Sequence, residues 1–334
     1  MPLRGYGVLT ATVVDRRREG STDTPHFQIH LRDQDGTDFR AAVNVLSQES
    51  PSDLLYLVDE DLRHPVTDAV QSLGPGWHGL SPAPGGANLD YVRANLFDPQ
   101  RMRPLPPDVS GPDNDLADLL DHYVQRAIAD DTARLSVFGQ RWGPEASTPD
   151  KVFGFSPGNG VHDVHMNQGN TEKFRADDGV WQDGGLLLHL PGESRWIGIF
   201  LAFQSQKWHT DDNTGHAIGD GPPVPDAIAP VRIVAAMVNP IGPAPERESV
   251  LLINASPSPV DLTGWHIADR LKNKCELPRE QLAPGVTREV TLSGGVQLGN
   301  NGGLITLLDA GGLKVDGVSY TSAQAKREGW TVVF

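Results

Sequence analysis

The chain has 334 residues, a formal net charge of −15, 38% hydrophobic residues, 36 glycines, 27 prolines and one cysteine. That length suits two domains of ~100–200 residues each, and the glycine and proline content points to a loop-rich, strand-rich protein. The charge argues against non-specific binding to nucleic acid or an anionic membrane, and a lone cysteine, Cys275, excludes an internal disulfide framework and fits a reducing compartment.

There is no run of ~18 apolar residues. The first twenty residues lack the apolar stretch of a signal peptide. A cytoplasmic protein without a membrane span is the expectation.

Residues 7–14 alternate and are β-branched, as a strand requires. A hairpin follows. Phe27, Ile29 and Leu31 alternate with His26, Gln28 and His30, and Phe39, Ala41 and Val43 alternate with Arg40, Ala42 and Asn44. A two-residue turn at Asp35-Gly36 would set polar against apolar residues on one face. A three-residue loop, Gln34 to Gly36 with glycine in the left-handed position, pairs Leu31 with Phe39 and His26 with Asn44. It collects His26, His30, Arg32, Arg40 and Asn44 on one polar face. A solvated outer face is the plain alternative to a site there.

Residues 52–62 read as a Ser/Asp-capped helix ended by His64-Pro65. Residues 74–107 read as irregular. Leu116, Leu119, Leu120, Tyr123, Val124, Ala127 and Ile128 form a helical stripe, with acidic residues in its first turn. A strand over 135–142 is expected to stop at Gly143-Pro144. Residues 186–190 and 196–203 form a hairpin of two nearly continuous apolar runs, hence central strands.

Between them runs Phe155 to Asn170, FSPGNGVHDVHMNQGN. It is followed by the acidic, glycine-rich turn Asp183-Gly184-Gly185 and the polar cluster from Trp208 to His216. Residues 219–229 form a proline-rich linker. Beyond it, six short strands separated by turns (231–238, 248–254, 265–268, 289–292, 304–309 and 314–320) carry the pattern of a β-sandwich.

The stretches AVNVLSQESPSDLLYLVDED, FGQRWGPE, PGNGVHDVHMNQGN, DGGLLLHLP and FLAFQSQKWHTDD resemble the YukJ-like family of bacterial proteins of unknown function, over residues 1–218. From residue 230 on, Asn254 closing a strand, the run Asp261-Leu262-Thr263-Gly264-Trp265, and a Gly-rich hairpin before Asp316 and Tyr320 resemble the lamin tail domain family. That second resemblance implies an immunoglobulin-like sandwich acting as a binding or tethering module for a protein or nucleic-acid target. The fold expected is mostly β with some helix: a mixed α+β domain, then a sandwich.

Three readings of the polar residues stay open. In the first, His162, Asp163 and His165, with His189, His209, Asp211 or His216, could hold a divalent metal, although no known zinc spacing is present. In the second, phosphoryl chemistry needs no metal. Enzymes similar to phospholipase D pair two His-x-Lys units, one histidine attacking phosphorus and the other protonating the leaving oxygen. His30-x-Arg32 with Asn44, and His165-x-Asn167, echo that pattern without its lysines. The expected catalytic set is then His165, His30, His162, Asp163, Asn167 and Asn44, with Gln168, Asn170, Arg32, His209 and Asp211 as ligand contacts. In the third, the amides satisfy a buried loop. The functions expected are a phosphodiester-type hydrolase delivered by the sandwich or, alternatively, a non-enzymatic ligand-binding or assembly protein.

Overall fold

The computed structural model describes residues 5–19, 25–46, 54–81, 86–91, 94–96, 101–106, 108–165, 183–203 and 229–334 except 244–246. Strand outweighs helix by 45% to 12%, so the chain is mostly β with few helices. No helix among the described residues is long and apolar enough to cross a membrane.

The N-terminal part is built on one sheet. Its strands are β1 (Tyr6–Arg18), β2 (His26–Arg32), β3 (Asp38–Asn44), β4 (Leu54–Asp59), β5 (Gly76–Gly79), β6 (Arg103–Leu105), β7 (Arg134–Glu145), β8 (Gly158–His162), β9 (Gly185–Leu190) and β10 (Arg195–Phe203). They run in the order β5-β1-β2-β3-β8-β7-β9-β10-β4-β6, and β1 also pairs with β7. That extra pairing closes β1, β2, β3, β8 and β7 into a five-stranded barrel. The 13-residue β1 makes this possible: its first half pairs with β7 and β5, its second half with β2.

The β2–β3 hairpin has the register its alternation dictates, His26 opposite Asn44 and Leu31 opposite Phe39. Asp33 and Thr37 close a three-residue loop. Gly36 takes the positive φ of 80° that the turn demands.

Two cores lie on opposite sides of β4, β9 and β10. One holds the barrel interior, Leu54, Leu186, Leu188, Ile197 and Ile199, together with helix α2 (Leu116–Ala129). The other holds Leu55, Leu57, Leu187, Phe200 and helix α1 (Pro65–Leu73). Strands buried on both faces need apolar residues at nearly every position, and this explains the nearly continuous apolar runs at 186–190 and 197–202.

The same arrangement corrects the helix expected over 52–62. Leu54, Tyr56 and Val58 face one core while Leu55 and Leu57 face the other, a strand's period of two in an apolar run that also passes for helix. His64-Pro65 does not end a helix but begins one. His64 Nδ1 caps α1 by accepting from Val66 N at 3.0 Å, and Pro65 occupies the first helical position, where a missing N–H costs nothing. The strand expected to stop at Gly143 continues to Glu145.

The C-terminal part holds β11 (Val231–Met237), β12 (Ser249–Asn254), β13 (Val260–Asp261), β14 (His266–Ala268), β15 (Lys274–Glu276), β16 (Gln281–Leu282), β17 (Thr287–Thr291), β18 (Gly302–Leu308), β19 (Lys314–Thr321), α3 (Ser322–Ala325) and β20 (Thr331–Val333). Two four-stranded sheets, β17-β12-β11-β20 and β15-β14-β18-β19, enclose one core. Val250, Leu252 and Val290 come from the first, and Ile267, Ile305, Leu307 and Tyr320 from the second. Leu262, Trp265 and the free, buried thiol of Cys275 lie in this core.

Candidate functional site

The polar face of the barrel is set by pleat. Arg40 lies opposite His30 on β2, and beside Gly160 on the parallel strand β8. Trp142 of β7 lies opposite Gly160, and Gln140 opposite His162. His26, His30, Arg40, Trp142 and His162 therefore share the outer face, and β8 runs toward its His26/Asn44 end.

At that end a histidine cluster forms around one carboxylate. His162 Nδ1 lies 2.9 Å from an Asp163 carboxylate oxygen. Burial pushes the Asp163 carboxyl up, but the bond from His162 and the charges of His165, His162 and His26 outweigh it and hold the group below the usual carboxylate range. Asp163 takes a left-handed φ of 56°, a conformation aspartate tolerates better than most residues. His165 is buried. His26 Nδ1 lies 3.2 Å from Glu19. Burial depresses its imidazole; Glu19 opposes this, and Lys151 and Arg40 add to the depression. The exposed Lys151 has no carboxylate partner among the described residues. Asn44 Oδ1 is buried with no hydrogen-bond partner among them, the kind of group a ligand can satisfy.

A second cluster lies further along the face. Arg40 Nε donates to Asp150 at 2.6 Å and Arg40 Nη1 to Gln28 at 2.8 Å. Asp150 also accepts from the backbone N–H groups of Val152 and Phe153. Its carboxyl is held low by these donors and Arg40 against the upward push of burial. This folds the 146–157 loop back so that Phe153 and Phe155 stack on His30 at 5.0 and 5.2 Å. Arg40 in turn lies over the Trp142 ring at 4.7 Å, and Trp142 stands 5.8 Å from the His162 ring. The two clusters are thus joined.

The floor of the site depends on the Asp183-Gly184-Gly185 turn. Gly184 N donates to His165 O at 2.9 Å. A Cβ on Gly184 would stand 2.3 Å from Asp163 O and 2.4 Å from His165 N, so only glycine lets the 163–165 backbone lie so close. The turn is itself anchored in the interior. Tyr6 Oη donates to Asp183 O at 2.6 Å, Tyr91 N donates to the Asp183 carboxylate at 2.7 Å, and Tyr91 Oη donates to Gly184 O.

Of the residues the sequence singled out, the structure brings His162, Asp163 and His165 together at the end of the hairpin marked by His26 and Asn44. His30 and Arg32 stand apart, both bonded to Asp38 at 2.9 Å. His189 stacks on Trp196 at 4.2 Å. Asn167, Gln168, Asn170, His209, Asp211 and His216 lie outside the described residues, as do residues 219–228 of the expected linker. No three His, Cys, Asp or Glu side chains among the described residues group so as to hold a metal ion; His209, Asp211 and His216 of the expected set are not among those residues. Sequence reasoning missed Glu19, Asp150, Lys151, Phe153 and Phe155. Only the spacing of the two phenylalanines across a glycine could have flagged them.

The family model described as an uncharacterized conserved protein, DUF2278, matches residues 1–215. The chain is 41% identical over 222 residues to the uncharacterized protein YukJ of Bacillus subtilis (strain 168), a match spanning 66% of this chain and 96% of that relative. No solved structure matches.

Proposed function

Because the chain belongs to the DUF2278 family, whose descriptions assign no activity, its chemistry must be argued from the site, and we propose that the N-terminal part is a hydrolase of phosphodiester type. The observation that carries this reading is the His162–Asp163 pair, with His165 and His26 within electrostatic reach of the same carboxylate. Acid–base cleavage needs one imidazole to take a proton and another to give one. His26, depressed by burial, is neutral at pH 7. It would take the proton of water attacking phosphorus while His162, oriented by Asp163, protonates the leaving oxygen as the P–O bond breaks. Lys151, within electrostatic reach of His26, would face the phosphoryl oxygens.

The C-terminal part is read as a lamin tail domain, an immunoglobulin-like sandwich that delivers the N-terminal part to a protein or nucleic-acid target. Two four-stranded sheets around one core support this. So does Asn254, whose side chain donates to Ser258 O and Leu282 O where its strand ends. Ligand binding without catalysis is the second reading, favoured by the pairing of Arg32 and Arg40 with Asp38 and Asp150.

Turnover of bis(4-nitrophenyl) phosphate separates the two readings. The wild-type chain should be active, and His162→Ala and His165→Ala should each lower kcat by about 10²-fold or more, the usual worth of general acid–base catalysis, without loss of fold. His30→Ala should retain activity. An inactive wild type, or a fully active His162→Ala, sinks the hydrolase.

A further inference from the structure

The barrel strands close in the order β1-β2-β3-β8-β7, β3 and β8 are parallel, and α2 leads into β7. This is the strand order of an OB barrel, whose β2–β3 face and flanking loops bind oligonucleotides and oligosaccharides. Here that face carries three stacked rings, His30 with Phe153 and Phe155, the interplanar angles being 24° and 15°. The phenylalanines come from the β7–β8 loop, which is one of those flanking loops. The acid–base cluster stands at the end of the same face.

Charge narrows how a ligand can be held. Arg32 and Arg40 are committed to Asp38 and Asp150. Arg17, exposed, donates to the Val152 carbonyl and lies over the Phe153 ring at 5.1 Å, with no carboxylate partner among the described residues. The exposed Lys151 immediately precedes Val152 in the chain. Two cations are thus left for phosphates. The net charge of −15 opposes a polyanion at long range, so affinity must come from stacking, which is worth most to unpaired bases.

We propose that the β2–β3 face binds a single strand of nucleic acid, its bases extending the His30–Phe153–Phe155 stack and its phosphates on Arg17 and Lys151. The inference rests on the phosphodiester reading, since it names the substrate that would lie across that site. It excludes duplex as a ligand, because paired bases hide the faces these rings would meet.

The test is fluorescence anisotropy with the full chain and fluorescein-labelled strands of about 12 nucleotides, within the ~4–16 that an OB fold covers, as DNA and as RNA, beside the matching duplex. One of the single strands should bind at least tenfold more tightly than duplex. The Phe153→Leu/Phe155→Leu double variant should lose at least tenfold. Log K against log salt should fall with a slope of about −1.4, two phosphates at about −0.7 each, and Arg17→Gln should bring it to about −0.7. Circular dichroism checks the fold. If the double variant misfolds, the Arg17→Gln slope decides. Equal binding of duplex, no binding of either strand, an unchanged slope in Arg17→Gln, or capture of labelled maltohexaose in place of the strands would overturn the proposal. Lost strand binding with intact diester turnover removes this inference alone. Strand binding with no turnover removes only the catalytic reading.

Discussion

His64 shows how one side chain can answer several structural demands at once. Nδ1 accepts from Val66 N and Nε2 donates to Ala94 O at 2.7 Å, so the ring is fixed as one neutral tautomer. Burial lowers its pKa to about 4; the bond to Ala94 partly opposes this, and Arg270 and Lys314 reinforce it. In the unfolded chain the value returns to about 6.5. Below that pH the unfolded state takes up a proton that the folded state refuses. Stability from this group is therefore complete above pH 6.5 and declines as pH falls toward 4, by about 3 kcal/mol in all. Urea unfolding at pH 7 and pH 4.5 reads this directly. His64→Asn, which retains a capping oxygen but does not titrate, should lose distinctly less stability than wild type between those two pH values. Equal losses would show that His64 is not the sensor.

Among elements, the 183–185 turn bears most directly on the site. It links the Tyr6 and Tyr91 hydroxyls in the interior to the backbone of Asp163–His165. The atoms a Gly184 Cβ would meet are all backbone, none able to swing aside. Gly184→Ala should cost about 1–3 kcal/mol, as overpacking in a filled interior does, and should displace the histidine cluster. Gly192→Ala, whose Cβ meets nothing within 4 Å, is the control. Thermal melts of both variants, with diester turnover as second readout, check this. A Gly184→Ala protein as stable and active as wild type would mean the turn does not position the site. The turn's importance was legible in outline, because acidic and glycine residues crowd there. Its target was not, because the contact spans about twenty residues of sequence and the two segments meet only in the folded sheet.

At the scale of the whole molecule, the N- and C-terminal parts are keyed together by Asn95. Its Nδ2 donates to Ile305 O, Thr306 Oγ1 and Val318 O at 3.0 to 3.2 Å, reaching two strands of the C-terminal sheet. A Cβ on Gly317 would stand 2.1 Å from Asn95 Oδ1, so the asparagine needs that glycine. Ser319 Oγ reaches Arg63 O nearby. Asn95 lies well inside residues 1–215, which match DUF2278, and its partners come from beyond them. Gly317→Ala and Asn95→Gly should each destabilise the full chain by about 1–3 kcal/mol, the cost of a lost or blocked buried hydrogen bond. Their double variant should be less destabilised than the sum, because removing Asn95 removes the clash. Strict additivity in urea unfolding would mean that the two residues do not meet in solution.

The sequence by itself determined what depends on neighbours in the chain. Alternation and turn chemistry set the β2–β3 register to the residue, since a one-residue slip would bury His26 and His30 and expose Ile29 and Leu31. The helical stripe specified α2, and the apolar runs at 186–190 and 197–202 announced buried strands. The tertiary structure decided whatever depends on which faces meet. It made 54–59 a strand by placing a core on each side, and it turned His64-Pro65 from a stop into a cap. It also joined β7 to both β1 and β8, and so closed the barrel on which His26, His162 and His165 come together. The physical reason is that period and propensity act over a few residues. Closure and burial are settled between segments more than a hundred residues apart, as His26 and His162 are, and local sequence carries no record of that pairing.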